Sequence, residues 1–304
     1  MIRPHYALFM LLYLAPLCRA EDAAKPDIAR TMEAIAAKHQ GKIAIGFKYL
    51  PSGETYFLHG DDVMPTASLC KLAVMIEVFY QIKEGKAKLS DPITVKKEDM
   101  VGGSGVLNYM FTPPLTITLG DAVNLMMAHS DNTATNLVLE KIGVGSTAAR
   151  MKALGYPHTR INSMVFKRST TIDREESRKY GLGSTTCKDM IGILEKLTEG
   201  KFVDKDSCNQ MIAILEKNED NAKFPRYLPG VTIAHKTGSL DHTRTDAGLI
   251  FMDKKPLIAV CVLTDDNKDA RWTNDNAGNE VCAAVAKAAY DHCKAKYGSA
   301  DPAK

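Results

Sequence analysis

No C-x-x-C pair, no H-E-x-x-H and no histidine and cysteine cluster at metal-ligand spacing occurs in the 304 residues, so a zinc site has no support. No run reaches the roughly 20 apolar residues that a spanning helix needs. Charge of one sign is lacking too: 39 Lys and Arg against 36 Asp and Glu leave +3, which gives no electrostatic reason for a nucleic-acid or anionic-membrane partner. Repeats and low-complexity linkers are absent. Apolar residues at 45% and charged residues at 25% exclude disordered, collagen-like and multi-span classes. What remains is a globular chain of about two ordinary domains, or one elaborate α/β unit, with a small-molecule ligand expected.

The first twenty residues, MIRPHYALFMLLYLAPLCRA, combine Arg3 and His5, an apolar run from Ala7 to Leu14, and a small-residue end at Cys18-Arg19-Ala20. That pattern predicts an export signal cleaved after residue 20, no membrane insertion thereafter, and a periplasmic or secreted protein of residues 21–304. A lipid anchor on Cys18 fits less well, because bulky Leu17 precedes it. Cleavage would remove Arg3 and Arg19 and no acid, leaving +1. Six cysteines stay in the mature chain: Cys70, Cys187, Cys208, Cys261, Cys282 and Cys293. Cys282 and Cys293 stand about 16 Å apart along what reads as one helix and cannot pair with each other. The other pairings are open.

Helical spacing covers Asp27 to His39, and KIAIGFKYL (Lys42 to Leu50) alternates as a strand before a Pro51-Ser52-Gly53 turn and a second strand near Thr55 to Leu58. Leu69 to Lys83 is apolar on one face. Thr118-x-x-Asp121 and Thr186-x-x-Asp189 are capping boxes opening helices to about Ala128 and Leu197. Asn132 to Ile142, Ser146 to Leu154 and Ser207 to Leu215 are further helices. After Pro229 the stretches VTIAHKTGS, TDAGLIFM and PLIAVCVL read as strands, and a long helix from Asn274 to Lys296 follows. The expected fold is α/β (α+β). An antiparallel sheet from N- and C-terminal strands, flanked by terminal helices (about 27–62 and 229–297), carries a large inserted all-helical lobe (about 63–228). The cleft between the two lobes is the expected ligand site.

Ser68-Leu69-Cys70-Lys71 puts a hydroxyl and an amine one turn apart at a helix start. A serine needs a neighbour to take its proton, and a desolvated lysine near another cation can do so. S-x-x-K alone is a weak signal. Here Ser130-Asp131-Asn132 follows between two helices and Lys236-Thr237-Gly238 follows on a strand, and the three motifs in this order are those of class A β-lactamases and penicillin-binding proteins.

The chain therefore resembles the class A β-lactamase family over about Asp27 to Tyr297, including GSGVL (Gly103 to Leu107), LMMAHSDNTATNLVLEKIG (Leu125 to Gly143) and HKTGSLDHTRTDAG (His235 to Gly248). The resemblance implies Ser68 as the acylated nucleophile, Lys71 as its proton acceptor, and Ser130 as the residue passing a proton to the leaving lactam nitrogen. It implies Asn132 on the substrate side-chain amide and Lys236 orienting Ser130. Thr237 and Arg244 would hold the substrate carboxylate, Arg244 by its planar fork, and Gly238 and Ser239 would also bind substrate. The N–H groups of Ser68 and Ser239 would form the oxyanion hole. No metal and no cofactor is implied. The expected partner is a small β-lactam or a cell-wall peptide, bound by a monomer.

One departure stands out: the family's E-x-x-L-N run, whose glutamate primes the deacylating water, is missing. Between Tyr156 and Thr186 the carboxylates are Asp173, Glu175 and Glu176, and Ser184 stands where the family usually has an aspartate. Acylation is thus more firmly implied than turnover. Two rivals follow: a D-alanyl-D-alanine peptidase with slow deacylation, and a non-catalytic β-lactam or peptidoglycan-peptide sensor. Elsewhere, His235 should face away from Lys236, His129 lacks an orienting acid at any known spacing, Cys70 reads as a structural thiol, and Arg271 and Trp272 either border the cleft or, as expected, pack.

Overall fold

A computed structural model describes residues 28–298, so the export signal expected over residues 1–20 lies outside the described residues. The chain runs α1 (Ile28–Ala36), β1 (Lys42–Tyr49), β2 (Glu54–Leu58), β3 (Met64–Pro65), a 3-10 turn (Ala67–Cys70) and α2 (Lys71–Lys83). Next come β4 (Pro92–Val95), α3 (Leu107–Met110), β5 (Leu115–Thr118), α4 (Leu119–Ala128), α5 (Asn132–Ile142), α6 (Val144–Ala153), β6 (Arg160–Ile161), α7 (Arg174–Tyr180), β7 (Gly183–Thr185), α8 (Cys187–Thr198) and α9 (Lys205–Leu215). A 3-10 turn (Phe224–Tyr227), β8 (Ile233–Leu240), β9 (Thr243–Met252), β10 (Lys255–Asp265) and α10 (Ala277–Tyr297) complete it.

The main sheet has the order β2-β1-β10-β9-β8 and is antiparallel throughout. Both its faces are covered, and the period of two shows which residue goes where. Along β10, Ile258, Val260 and Val262 join Ile45, Phe47 and Ile250 beneath α1 and α10. The alternate residues Ala259, Cys261 and Leu263 face the helical side with Cys187 and Ile191 of α8. On α10, Cys282, Val285, Ala286, Ala289 and Cys293 form the stripe that covers the sheet, and each fully buried valine contributes about 1.5–3 kcal/mol. All six described cysteines are free and buried.

The helical region is built around α2, whose residues from Lys71 to Phe79 are all buried. It is not purely helical: β4 pairs with β5, and β3-β7-β6 forms a second small sheet. These strands of two to four residues are too short for a readable alternation. The helix at Arg174–Tyr180, REESRKY, carries no apolar periodicity to announce it. Asp173 caps it, accepting from the N–H groups of Glu175 and Glu176, and the two acids occupy its first turn, where the helix dipole favours them. Glu175 and Glu176 therefore belong to a helix start, not to an open loop. The capping box at Thr118 and the cap at Thr186 are present as the spacing predicted.

Candidate active site

Three segments meet where the buried start of α2 approaches the edge strand β8. The 3-10 turn delivers Ser68, the α4–α5 junction delivers Ser130, and β8 delivers Lys236. The turn is tight. Ala67 has φ 47° and Ser130 has φ 53°, left-handed conformations that cost non-glycine residues about 1–3 kcal/mol each and that only surrounding structure sustains. Asp131 supplies part of that support. It caps α5 by accepting from Ala134 N (2.8 Å), and its other oxygen takes the N–H groups of Val106 (2.7 Å) and Leu107 (2.9 Å), tying the Gly103–Leu107 segment to the site. At Gly238 the strand passes so close to the turn that a Cβ would lie 2.2 Å from the Thr66 carbonyl oxygen and 2.9 Å from Ser68 N.

Ser68 is partly exposed in an otherwise buried turn and lines a cavity of about 420 Å³ with Ser130, Thr237, Gly238, Ser239 and Arg244. Lys71 is fully buried. Its Nζ lies 2.6 Å from the Ser130 carbonyl oxygen, 3.0 Å from Asn132 Oδ1 and 3.2 Å from Ser130 Oγ. Lys236, also buried, donates to Ser130 Oγ (3.1 Å) and to the Thr237 carbonyl (2.8 Å). Burial first, and then the Lys236 charge, hold the Lys71 ammonium well below its ordinary pKa of 10.5. Burial likewise brings Lys236 down to about 8, with Asp220 opposing that shift and Lys223 adding to it. A neutral Lys71 amine uses its two hydrogens on the carbonyl oxygens of Ser130 and Asn132 and keeps a lone pair for a proton. Asn132 in turn donates to the Gly102 carbonyl (3.0 Å).

Ser68, Lys71, Ser130, Asn132 and Lys236 thus come together as the motifs implied. Thr237, Gly238, Ser239 and Arg244 line the same cavity, but the Arg244 guanidinium is already engaged. Nη1 donates to the Leu240 and Thr243 carbonyls, Nη2 donates to the Arg271 carbonyl (2.8 Å), and the Trp272 ring lies 4.9 Å away. Trp272, expected to pack, is instead 66% exposed and lines the cavity, with Nε1 donating to Asp241. Arg271 is held at the surface by Asp269 and Asp275. His235 faces away from Lys236, its Nδ1 2.9 Å from the Asp246 carboxylate. Cys70 is buried, with its thiol pushed up to about 11 by that burial.

Glu175 and Glu176 do not line the cavity. The loop after β6 is pinned by its backbone: the Asn136 carboxamide accepts from Val165 N (2.7 Å) and donates to Val165 O (3.0 Å). Beside it, Phe166 (φ 59°, 72% exposed) packs against Gly103 next to Asn132. An Arg160–Asp173 ion pair (3.3 Å) ties the loop, while Ser184 Oγ donates to the His158 carbonyl. Sequence reasoning missed a further wall of the cavity, the 218–223 turn. There Asp220 Oδ2 pairs with the buried Lys223 Nζ at 2.6 Å, and Glu219 supplies the acid that His129 lacked, 3.2 Å from its Nδ1. No local motif marks these residues. Among the described residues no group of histidine, cysteine and carboxylate side chains could hold a metal ion.

Comparison with known proteins bears on the family and the fold. The model of the beta-lactamase enzyme family matches residues 27–293. A Citrobacter koseri beta-lactamase is 25% identical over 279 residues, covering 90% of each chain. The crystal structure of a Sphaerobacter thermophilus beta-lactamase superposes with a TM-score of 0.76 at 29% identity, covering 87% of this chain and 96% of that one. A PBP-A variant, solved as an acyl-enzyme complex with penicillin G, superposes with a TM-score of 0.75 at 23% identity over 88% and 96% of the two chains.

Proposed function

The chain belongs to the beta-lactamase enzyme family, and from that premise we propose that it is a serine hydrolase of the class A type, opening the β-lactam amide through an acyl-serine on Ser68. The observation that carries this reading is the position of Ser130 Oγ between two buried amines, 3.2 Å from Lys71 Nζ and 3.1 Å from Lys236 Nζ. As Ser68 Oγ attacks the lactam carbonyl carbon, its proton passes to the neutral Lys71 amine. Negative charge gathers on the carbonyl oxygen, facing the N–H groups of Ser68 and Ser239. The C–N bond breaks, the Ser130 hydroxyl protonates the leaving nitrogen, and Lys71 restores the Ser130 proton. The Lys236 ammonium, donating to Ser130 Oγ, steadies this relay. We further infer an exported single catalytic domain acting as a monomer on a small β-lactam or a cell-wall peptide, without metal or cofactor.

A second reading is favoured by one observation. The loop lays the Phe166 ring against Gly103 next to Asn132, and neither Glu175 nor Glu176 lines the cavity. With no loop carboxylate to prime water, the same acylation would yield a penicillin-binding peptidase whose adduct with a β-lactam persists. The acyl-enzyme of the PBP-A variant with penicillin G is consistent with this alternative.

Intact mass against time, with loss of the lactam ring followed by absorbance, tests both. The wild type should gain one penicillin equivalent, and Ser68→Ala should gain none while keeping its fold. Labelling of Ser68→Ala would refute the nucleophile. Ring loss well beyond one equivalent, with return to the free mass, identifies a hydrolase, whereas a lasting adduct identifies the peptidase type.

A further inference from the structure

Six buried cysteines take no part in the chemistry at Ser68, and their surroundings sort them. Cys282 and Cys293 lie beneath α10 on one face of the main sheet. Cys70 and Cys208 turn their thiols to nearby carbonyls, those of Ala67 (3.1 Å) and Phe202 (2.9 Å). Cys187 and Cys261 differ, because they face each other. Cys187 opens α8, Cys261 lies within β10, and both belong to the core on the helical side of the sheet. Cys187 Sγ donates to the Cys261 carbonyl (3.8 Å), and the two thiols share a hydrogen bond. Gly46 is the reason a helix start can lie so low on the sheet. It pairs with Cys261 across β1 and β10, and a Cβ at Gly46 would lie 3.2 Å from Cys187 Cβ and 2.9 Å from Ile191 Cγ1. Facing residues on neighbouring strands hold their Cβ atoms about 4.5–5.5 Å apart, so Cys187 Cβ stands about one strand spacing from Cys261 Cβ. A disulfide spans about 3.5–4.5 Å between Cβ atoms, within a side-chain adjustment of this arrangement.

We propose that Cys187 and Cys261 are joined by a disulfide when the chain folds in an oxidising compartment. The assignment rests on the inferred export, since such bonds persist outside the reducing cytosol. The step is thiol–disulfide exchange with a small-molecule or protein disulfide. One cysteine thiolate attacks the oxidant's S–S bond and releases one thiol, and the second cysteine thiolate attacks the mixed disulfide and releases the other. Two protein thiols and one oxidant disulfide thus become one protein disulfide and two oxidant-derived thiols, which carry off the two electrons and two protons. Burial first, and then the Cys187 contact, push the Cys261 thiol well above its ordinary pKa, so a closed core withholds the thiolate and the exchange belongs to folding, before α8 docks. The bond closes a span of 74 residues and fastens α8 to β10. Because α8 follows β7, which pairs with β3 just ahead of the Ser68 turn, it ties the segment carrying the nucleophile to the sheet carrying Lys236.

The test is a tryptic map made without reductant after unfolding and alkylation, on chain recovered from the periplasm and on chain reduced, unfolded and refolded with reduced and oxidised glutathione. Peptides 180–188 and 255–268, each holding one of the two cysteines, should appear linked, with the intact mass lower by about 2 Da and Cys70, Cys208, Cys282 and Cys293 alkylated. Reductant should lower the wild-type Tm by roughly 5–15 °C and leave Cys187→Ala and Cys261→Ala unmoved. Exported chain with both residues alkylated, or with either linked to a different cysteine, overturns the pairing. The map needs the wild type alone, so it decides even if the alanine variants do not fold. A chain retained in the cytosol refutes the export reading instead, and the refolded sample then judges the pair by itself: linked peptides uphold it and alkylated ones overturn it.

Discussion

Gly238→Ala would place a methyl group where two backbones already touch, and its effect on the site can be worked out from the contacts. The new Cβ would sit 2.2 Å from the Thr66 carbonyl oxygen, 2.5 Å from Thr245 Oγ1 and 2.9 Å from Ser68 N. Even close C–H···O contacts keep about 3.3–3.6 Å, so β8 and the 66–68 turn must separate by about 1 Å. That separation breaks the hydrogen bond from Thr245 Oγ1 to the Thr66 carbonyl (2.9 Å). One lost hydrogen bond of about 1 kcal/mol added to overpacking of about 1–3 kcal/mol gives about 2–4 kcal/mol, or a Tm lowered by roughly 5–15 °C for a chain of this size. The chemical effect is larger than the structural one. Ser68 moves with the turn while Lys71 and Ser130 stay with the helical region, and a 1 Å misplacement of reacting groups costs about 100-fold in rate. Acylation by benzylpenicillin, timed by intact mass and paired with thermal unfolding, measures both. A variant that acylates within twofold of wild type and melts within about 2 °C of it would show that the turn and strand are not rigidly registered, and the argument would fail.

Two further outcomes follow from the same residues. Lys236 is brought down to about 8, so its charge is present below that pH and lost above it. Acylation should therefore decline as pH rises through about 8, and Lys236→Arg, whose guanidinium keeps its proton, should move the decline upward; a flat profile to pH 10 would contradict the assigned role of Lys236. Asn136→Ala strips both partners from the Val165 backbone and leaves a buried N–H and C=O unsatisfied. It should cost about 2–4 kcal/mol by denaturant titration and raise proteolytic cutting between residues 162 and 182, and wild-type stability would show that the loop holds itself.

The parts of the site legible in the sequence are those that are local. Ser68 and Lys71 are three residues apart, in the 3-10 turn and at the start of the α2 that continues it, Ser130 and Asn132 flank the residue that caps the next helix, and the Lys236 side of β8 follows from strict alternation. Each needs only a periodicity and a cap to be placed. The five strands of the main sheet were readable for the same reason, because their apolar residues alternate or run continuously. The 218–223 wall is different. Lys223 reaches the cavity because the turn at Asp220 is folded by Asn218 and Ala222, and because Phe224 is anchored to Asp246 on a strand more than twenty residues away. The His129–Glu219 contact spans 90 residues and exists only because the turn packs against the end of α4, where Glu219 N donates to the Ala128 carbonyl. Trp272 borders the cleft instead of simply packing because its ring lies against the Arg244 guanidinium.

The same wall bears on the step the sequence leaves open. Turnover requires a base within reach of the acyl-serine, and the described carboxylates lining the cavity are Glu219 and Asp220. Burial alone would raise the Asp220 carboxyl, but the Lys223 ammonium holds it well below the usual carboxylate range, which makes it a poor proton acceptor. Glu219 is turned to His129, with Oε2 3.2 Å from the imidazole Nδ1. The 218–223 side of the cavity therefore carries an imidazole held by a carboxylate. Rapid return of the acylated protein to its free mass would point to that wall, because Glu175 and Glu176 do not line the cavity. A lasting adduct would mean that the His129–Glu219 pair only joins α4 to the turn, and that the arrangement around Ser68 is complete for acylation and incomplete for release.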